Sequence, residues 1–548
     1  MTGLLEFIAG MLDGAGLIAM ALVIGGLVYV LAVVRVPWTE SPLLRRHAEQ
    51  TLGIASVAAI ILTLFRITQL LLKPLALADE PGRWEFGTFA QTQVFRFGVT
   101  GILFAFCLAA ALAWLRRDLA SGRRWVVTLV FTGAFIINEA WLSHAVSRVE
   151  GAGLLMAMTV VHMVGACVWA GGITHLLLFW RLRRDPEAAS HWPDLVSRFS
   201  AVGVMSVALI IGPGFFLAWR YVGDVGGLVG TGYGNLLMVK LILFVFVLGL
   251  AALNFLAARR WSRQRTAGML SDRVPAYIEV EIVLASALLF TASALTSFPP
   301  AADIPNDRVP TQEMWRMFTP KFPHLGGPQV ILIDAPELTD PATGQVGKKE
   351  DVSWDRFNHN AAGVIVVTMG ILAILDRSGW IRWVRHWPLL FMAFGILIFV
   401  FSNPTEFPLG PLGFWESAQD AEVVQHWLGA LVAFGLGWVE WQARRGAFAR
   451  RDLEYIFPVL SIVGGIILLT HSHNIFELKQ DFLTQSTHVA MGVLAVIIGC
   501  ARWLELRCPP AQARVAGSVA AGAMLLVGLI LVFYVDPADE ATWARLKG

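Results

Sequence analysis

Charge is what this chain lacks most. Only 15% of its residues are charged, against 56% hydrophobic, where a soluble domain ordinarily carries about 25% charged residues. The formal net charge of +2 gives no electrostatic reason to expect a nucleic-acid partner. Cysteine is equally thin. The four residues Cys107, Cys167, Cys500 and Cys508 are scattered and form no C-x-x-C. That pattern excludes a disulfide framework and a thiolate metal site. A P-loop, a phosphorylated D-K-T-G and an intramembrane C-P-C are all missing, so direct ATP drive is excluded too. No catalytic constellation stands out, and an enzyme is not expected. The first apolar run has no basic region before it, so no cleavable signal is expected.

What is present is apolar sequence of membrane-spanning length. Such segments recur near 12–35, 52–73, 96–115, 125–146, 152–180, 201–220, 236–258, 276–298, 357–376, 384–402, 421–442, 454–473, 484–504 and 514–535. The fold class read from this is an all-α polytopic membrane protein of about fourteen transmembrane helices. Arginines cluster after every odd-numbered segment: Arg45 and Arg46, Arg116 to Arg124, Arg181 to Arg184, Arg259 to Arg265, Arg377 to Arg385, Arg444 to Arg451, and Arg502 to Arg514. The positive-inside rule puts all seven loops in the cytoplasm and both termini on the other side of the membrane. A missed helix would invert the later loops, so their agreement supports the count.

The longest polar stretch, 299–356, is rich in proline and separates eight helices from six. The expected organisation is an N-terminal eight-helix bundle over 1–298, a periplasmic loop or linker over 299–356, and a C-terminal six-helix bundle over 357–548.

Seven of the twelve histidines map to the outer half of these segments: His144, His162, His359, His426, His471, His473 and His488. Histidine is costly in lipid and is a frequent ligand of copper and zinc. In the last six helices, His359, His426, His471, His473 and His488 fall within roughly 8 Å of the outer boundary at 1.5 Å rise per residue. Met491 shares a face with His488 and adds a soft thioether. In the first bundle His144 ends the fourth segment. His162 lies near mid-membrane, with Met158 one turn before it on the same face. Histidine with thioether suits Cu(I). Gly171-Gly172 would let another helix approach closely. The plain alternatives are interfacial histidines solvated by water or headgroups, and a His162 bonded across helices. His175, nearer the inner side, reads as structural before it reads as a stepping ligand. Arg66 and Glu139 both fall in outer halves and could pair, or Glu139 could relay a proton or hold a cation.

Three stretches carry a family resemblance: Trp141-x-Ser143-His144, His162…Trp169-x-Gly171-Gly172, and Leu295-Thr296-Ser297-Phe298-Pro299-Pro300-Ala301. Over about 130–302 the sequence resembles the copper-resistance D (CopD/PcoD) inner-membrane family. The C-terminal part, with Phe357-Asn358-His359-Asn360 and Gln425-His426, resembles the extension of longer members. The resemblance implies copper homeostasis or resistance, with copper taken from the periplasm and moved into or across the membrane. It also implies a separate periplasmic copper carrier of the CopC type as a partner. From the residues themselves a second class stays open, a redox protein with b-type haem on paired histidines. A third is a structural or assembly subunit of a membrane complex.

Overall fold

A computed structural model describes residues 2–34, 41–76, 86–143, 151–264, 270, 272–323, 325–326, 352–403, 406–470 and 482–534. Fourteen long helices fall on the fourteen apolar segments, and no strand occurs among the described residues. They are α1 (Thr2–Tyr29), α2 (Pro42–Ala76), α3 (Gln93–Arg116), α4 (Gly122–Ala140), α5 (Ala152–Trp180), α6 (Pro186–Val222) and α7 (Gly232–Gln264). After these come α8 (Val274–Thr296), α9 (Val352–Ser378), α10 (Leu390–Val400), α11 (Ala421–Arg444), α12 (Ile456–Thr470), α13 (Phe482–Arg507) and α14 (Pro510–Val532). A 3-10 segment, Arg382–Leu389, leads into α10.

Twelve helical stretches are long and apolar enough to cross a membrane. The two that fall short are α4, with Arg123, Arg124 and Glu139, and α11, with His426 and Glu440 among its residues. Glu139 and Glu440 lie inside the bundle, paired with Arg66 and Arg444, so hydropathy understates these two helices. Outward faces are apolar instead of charged: Val57, Ile60 and Leu64 on α2, and Val204, Met205, Phe215 and Trp219 on α6, are all exposed. That inversion of the soluble pattern is what lipid as solvent requires. Proline opens α2, α6 and α14, where its missing N–H costs nothing.

Close crossings hold the helices together. A Cβ on Gly171 would lie 1.8 Å from the Ala21 carbonyl oxygen, and one on Gly25 would lie 2.6 Å from the Gly171 Cα. Only glycine allows α1 and α5 to meet backbone to backbone there, as the Gly171-Gly172 pair leads one to expect. Gly363, Gly370 and Gly528 do the same between α9 and α14. The first core gathers residues of all eight helices from α1 to α8. It also takes in Ile462, Leu469, Val489, Val493 and Val496 of α12 and α13. The C-terminal helices are therefore packed onto the first eight through α12 and α13. Of the intervening stretch, two 3-10 turns (Ala301–Asp303 and Pro305–Asp307) and a short helix (Thr311–Met317) are described. Arg308 and Val309 dock on the α6–α7 turn through Asp224 and the Gly230 carbonyl.

Candidate functional site

The histidines meet most closely at the start of α9 and α13. His359 lies in the second turn of α9 and His488 in the second turn of α13. Their ring centroids are 6.1 Å apart at an interplanar angle of 60°. His488 is buried. Tyr534, just past α14, stacks on His359 at 4.0 Å. The neighbours of His359 fix it. Asn358 donates its amide to the Phe401 carbonyl. Asn360 donates to the Leu531 and Tyr534 carbonyls, each at 3.1 Å. One asparagine thus ties α9 to the end of α10 and the other ties it to the end of α14, which also positions Tyr534.

Two metal–nitrogen bonds of about 2.0–2.1 Å, with half a ring beyond each, fit between imidazoles at this spacing. Met491, one turn further along α13, is buried in the second core. His426 is half-buried on α11. His471, His473 and His144 lie outside the described residues. Among the described residues no group of three or more His, Cys, Asp or Glu side chains could hold a metal ion. The five-histidine level expected at the outer face is thus described as a pair with an aromatic neighbour.

In the first bundle His162 sits half-buried on α5 and faces α6. Its Nδ1 is 2.8 Å from the Ile210 carbonyl oxygen. A carbonyl only accepts, so Nδ1 carries the proton and Nε2 keeps a lone pair. The local sequence of α6 makes room for the ring: a Cβ on Gly214 would lie 2.9 Å from His162 Cε1. Pro213, beside it, removes a backbone donor inside the helix. An Nδ1–H bonded to backbone is also how a ligating histidine is held in orientation. The cross-helix bond and a ligand role are compatible. Met158 is half-buried one turn away on the same helix.

His175 is fully buried. Its Nε2 donates to the Leu22 carbonyl at 3.0 Å, and its Nδ1 has no partner among the described residues. Tyr29 stacks on it at 6.2 Å, and His47 Nε2 lies 3.3 Å from the Tyr29 hydroxyl. His47 lies before the apolar run of α2 and was invisible as a buried residue for that reason.

Arg66 and Glu139 pair, joining α2 to α4. Asp13 lies 3.7 Å from Arg66 and accepts from Gln69 at 2.6 Å. Glu139 Oε1 has no partner among the described residues. Glu281, not singled out by its sequence, is buried in α8 between Trp169 and Asn254. It stands only two turns from the helix start and looks like a boundary charge.

Residues 193–295, which run from α6 to the end of α8, match the family model described as Copper resistance protein D. The "Copper transport protein CutJ" of Bacillus subtilis (strain 168) is 30% identical over 203 residues. The alignment covers 37% of this chain and 36% of that relative, so only about a third of the relative's length is matched. No solved structure matches the chain.

Proposed function

From a chain that is a copper resistance D family protein in its α6–α8 segment, we propose a copper permease of the cell membrane, a carrier and not a catalyst. It takes copper from the periplasmic side and moves it into or across the bilayer. The observation that carries this reading is the pair His359 and His488, whose rings stand 6.1 Å apart at one end of the second bundle. Two imidazoles at this spacing suffice in number for a two-coordinate Cu(I), and Tyr534 stacks on one of them. His162, with Nε2 unprotonated and Met158 one turn away, is the deeper station in this scheme. The positive-inside pattern puts the pair on the periplasmic face, where a separate CopC-type carrier would deliver the ion. The membrane potential favours cation entry by about 2.3 kcal/mol per charge per 100 mV, which biases import without a nucleotide motor.

The test is metal analysis of the purified protein in lipid nanodiscs after loading with Cu(I) under reducing conditions, with an absorption spectrum before and after dithionite. Bound copper that falls at least tenfold in affinity in a His359→Ala/His488→Ala variant is expected, together with reduced copper accumulation by cells. His162→Gln should bind copper at the pair but move it poorly. A Soret band that shifts on reduction would replace the copper reading with bis-histidine haem. Unchanged copper binding in the double variant would remove the pair from the mechanism. A protein that takes neither group would be a structural subunit.

A further inference from the structure

A cavity of about 240 Å³ lies between α5, α6, α7 and α8, its α6–α8 walls inside the stretch shared with the copper family, and none of the histidines discussed above lines it. Its walls are mostly apolar: Ile173, Val196, Phe199 and Ile278 are among them. Three polar groups converge at its back. Glu281 is 1% exposed and Asn254 is 8% exposed. Trp169 Nε1 donates to Glu281 Oε1 at 3.0 Å, and Asn254 Nδ2 donates to Glu281 Oε2 at 2.7 Å. Asn254 Oδ1 has no partner among the described residues. No ion pair reaches Glu281 there either. A lone carboxylate inside a bilayer is costly, and such a residue is kept with a positive charge or kept neutral.

We propose that Glu281 is a proton-binding site, loaded and unloaded through this chamber, with Trp169 and Asn254 as its positioning residues. The donor set selects the proton over a metal ion. A hard cation asks for about six or more oxygens, and the described lining offers four side-chain oxygens, the two of Glu281, Asn254 Oδ1 and Ser200 Oγ. A soft ion asks for sulfur or imidazole, and none lines the chamber. A proton needs one acceptor. Water can bring it, since one molecule needs only about 10–15 Å³ and finds Ser200, Asn254 and Glu281 along the wall. In the step itself a hydronium ion in the chamber gives its proton to the carboxylate, forming the acid and leaving a water; the reverse step returns it.

Other charged groups on the packed helices are separate. His162 and His175 are each about two turns from Trp169 along α5. Lys240 lies about four turns from Asn254 along α7, and Arg198 precedes Phe199 on α6. Glu279 of α8 is held by Arg507 and Trp503 of α13. Tyr29 of α1 is engaged with His47.

The site does not depend on the copper reading. The test is infrared difference spectroscopy of the full chain in lipid nanodiscs at stepped pH, without copper. A protonated-carboxyl band that fades as the pH rises is expected in the wild type and in Glu139→Gln, and is lost in Glu281→Gln. Trp169→Phe keeps a ring in place but removes the bond to the charged form. It should move the fading upward by about one pH unit or more, and it remains informative if Glu281→Gln does not fold. A band that survives in Glu281→Gln, a wild-type band insensitive to pH, a band set by sodium or potassium concentration instead, or an unshifted midpoint in Trp169→Phe would each overturn the proposal. Copper-driven proton movement lost in Glu281→Gln while copper binding persists would tie the site to transport. If copper binding fails everywhere but the band behaves as stated, the permease reading falls and this site stands.

Discussion

A single hydrogen bond decides what His162 can do. Donation from Nδ1 to the Ile210 carbonyl leaves Nε2 as the nitrogen with a lone pair. The sequence showed an imidazole in an apolar helix but not the carbonyl it meets, which belongs to another helix. Asp224 is a second case, outside the membrane-spanning segments. Its carboxyl accepts from Arg308 at 2.7 and 2.8 Å and from the Gly227 N–H at 2.8 Å. The Arg308 bonds first, and then the backbone N–H, hold it below the usual carboxylate range. A depressed carboxylate contributes in full above its unfolded value, and the contribution disappears as pH falls through the folded value. Hydrogen exchange in the segment around Arg308 should therefore speed up on acidification. Asp224→Asn should show the faster exchange at neutral pH and little further response. A pH response equal to wild type in Asp224→Asn would dissociate the latch from this carboxyl.

At the scale of elements, the arginine-rich helix ends that gave the topology turn out to be partnered. Arg377 on α9, Arg444 on α11 and Arg502 on α13 interlock with Asp376, Glu440 and Glu505. Glu440 is 1% exposed at its side chain and takes both Arg444 at 2.8 Å and Arg502 at 3.2 Å. Arg444 also lies over the Trp387 ring at 4.9 Å. Cations at helix C-termini favour the macrodipole, and in this bundle the acids cancel charge that would otherwise be buried. Glu440→Ala leaves Arg444 with Asp376 and Arg502 with Glu505 as their remaining acids. It should cost about 1.5–3 kcal/mol, read as a lowered thermal midpoint of the detergent-purified protein. Arg450, paired with the exposed Asp452, is the control: Arg450→Ala should move the midpoint hardly at all. Equal midpoints in Glu440→Ala and wild type would mean the network is bypassed by water.

For the whole molecule, α13 is the joint. Arg507 holds Glu279 of α8 through two bonds of 2.7 and 2.8 Å, with Trp503 adding a third at 2.9 Å. Near the other end Asn235 of α7 donates to Ser486. Both links connect ends that the loop charges assign to the same side, inner for the first and outer for the second. Sidedness then follows as a prediction. In a chain whose four native cysteines are replaced by alanine, Val225→Cys should react with an impermeant maleimide on intact cells. Arg117→Cys should react only after permeabilisation. The opposite labelling would invert the topology and put the histidine pair on the cytoplasmic face.

Helix number and helix position were legible because hydropathy is a local property, written within about twenty residues of chain. The membrane class was legible on the same terms, and short local motifs carried the resemblance to the copper family whose model matches residues 193–295. What waited for the tertiary structure was most of the meetings across helices, the Arg66–Glu139 pair and the approach at Gly171 aside. Asn254 and Trp169 lie 27 and 112 residues from Glu281, and His359 finds His488 only because Asn358 and Asn360 tie α9 to α10 and α14. An apolar helix carries no face pattern that lipid would read, so its rotation is set by backbone contacts such as Gly25 on Gly171 and by buried hydrogen bonds. Those contacts decide which polar side chains turn inward together, and hence where chemistry can occur.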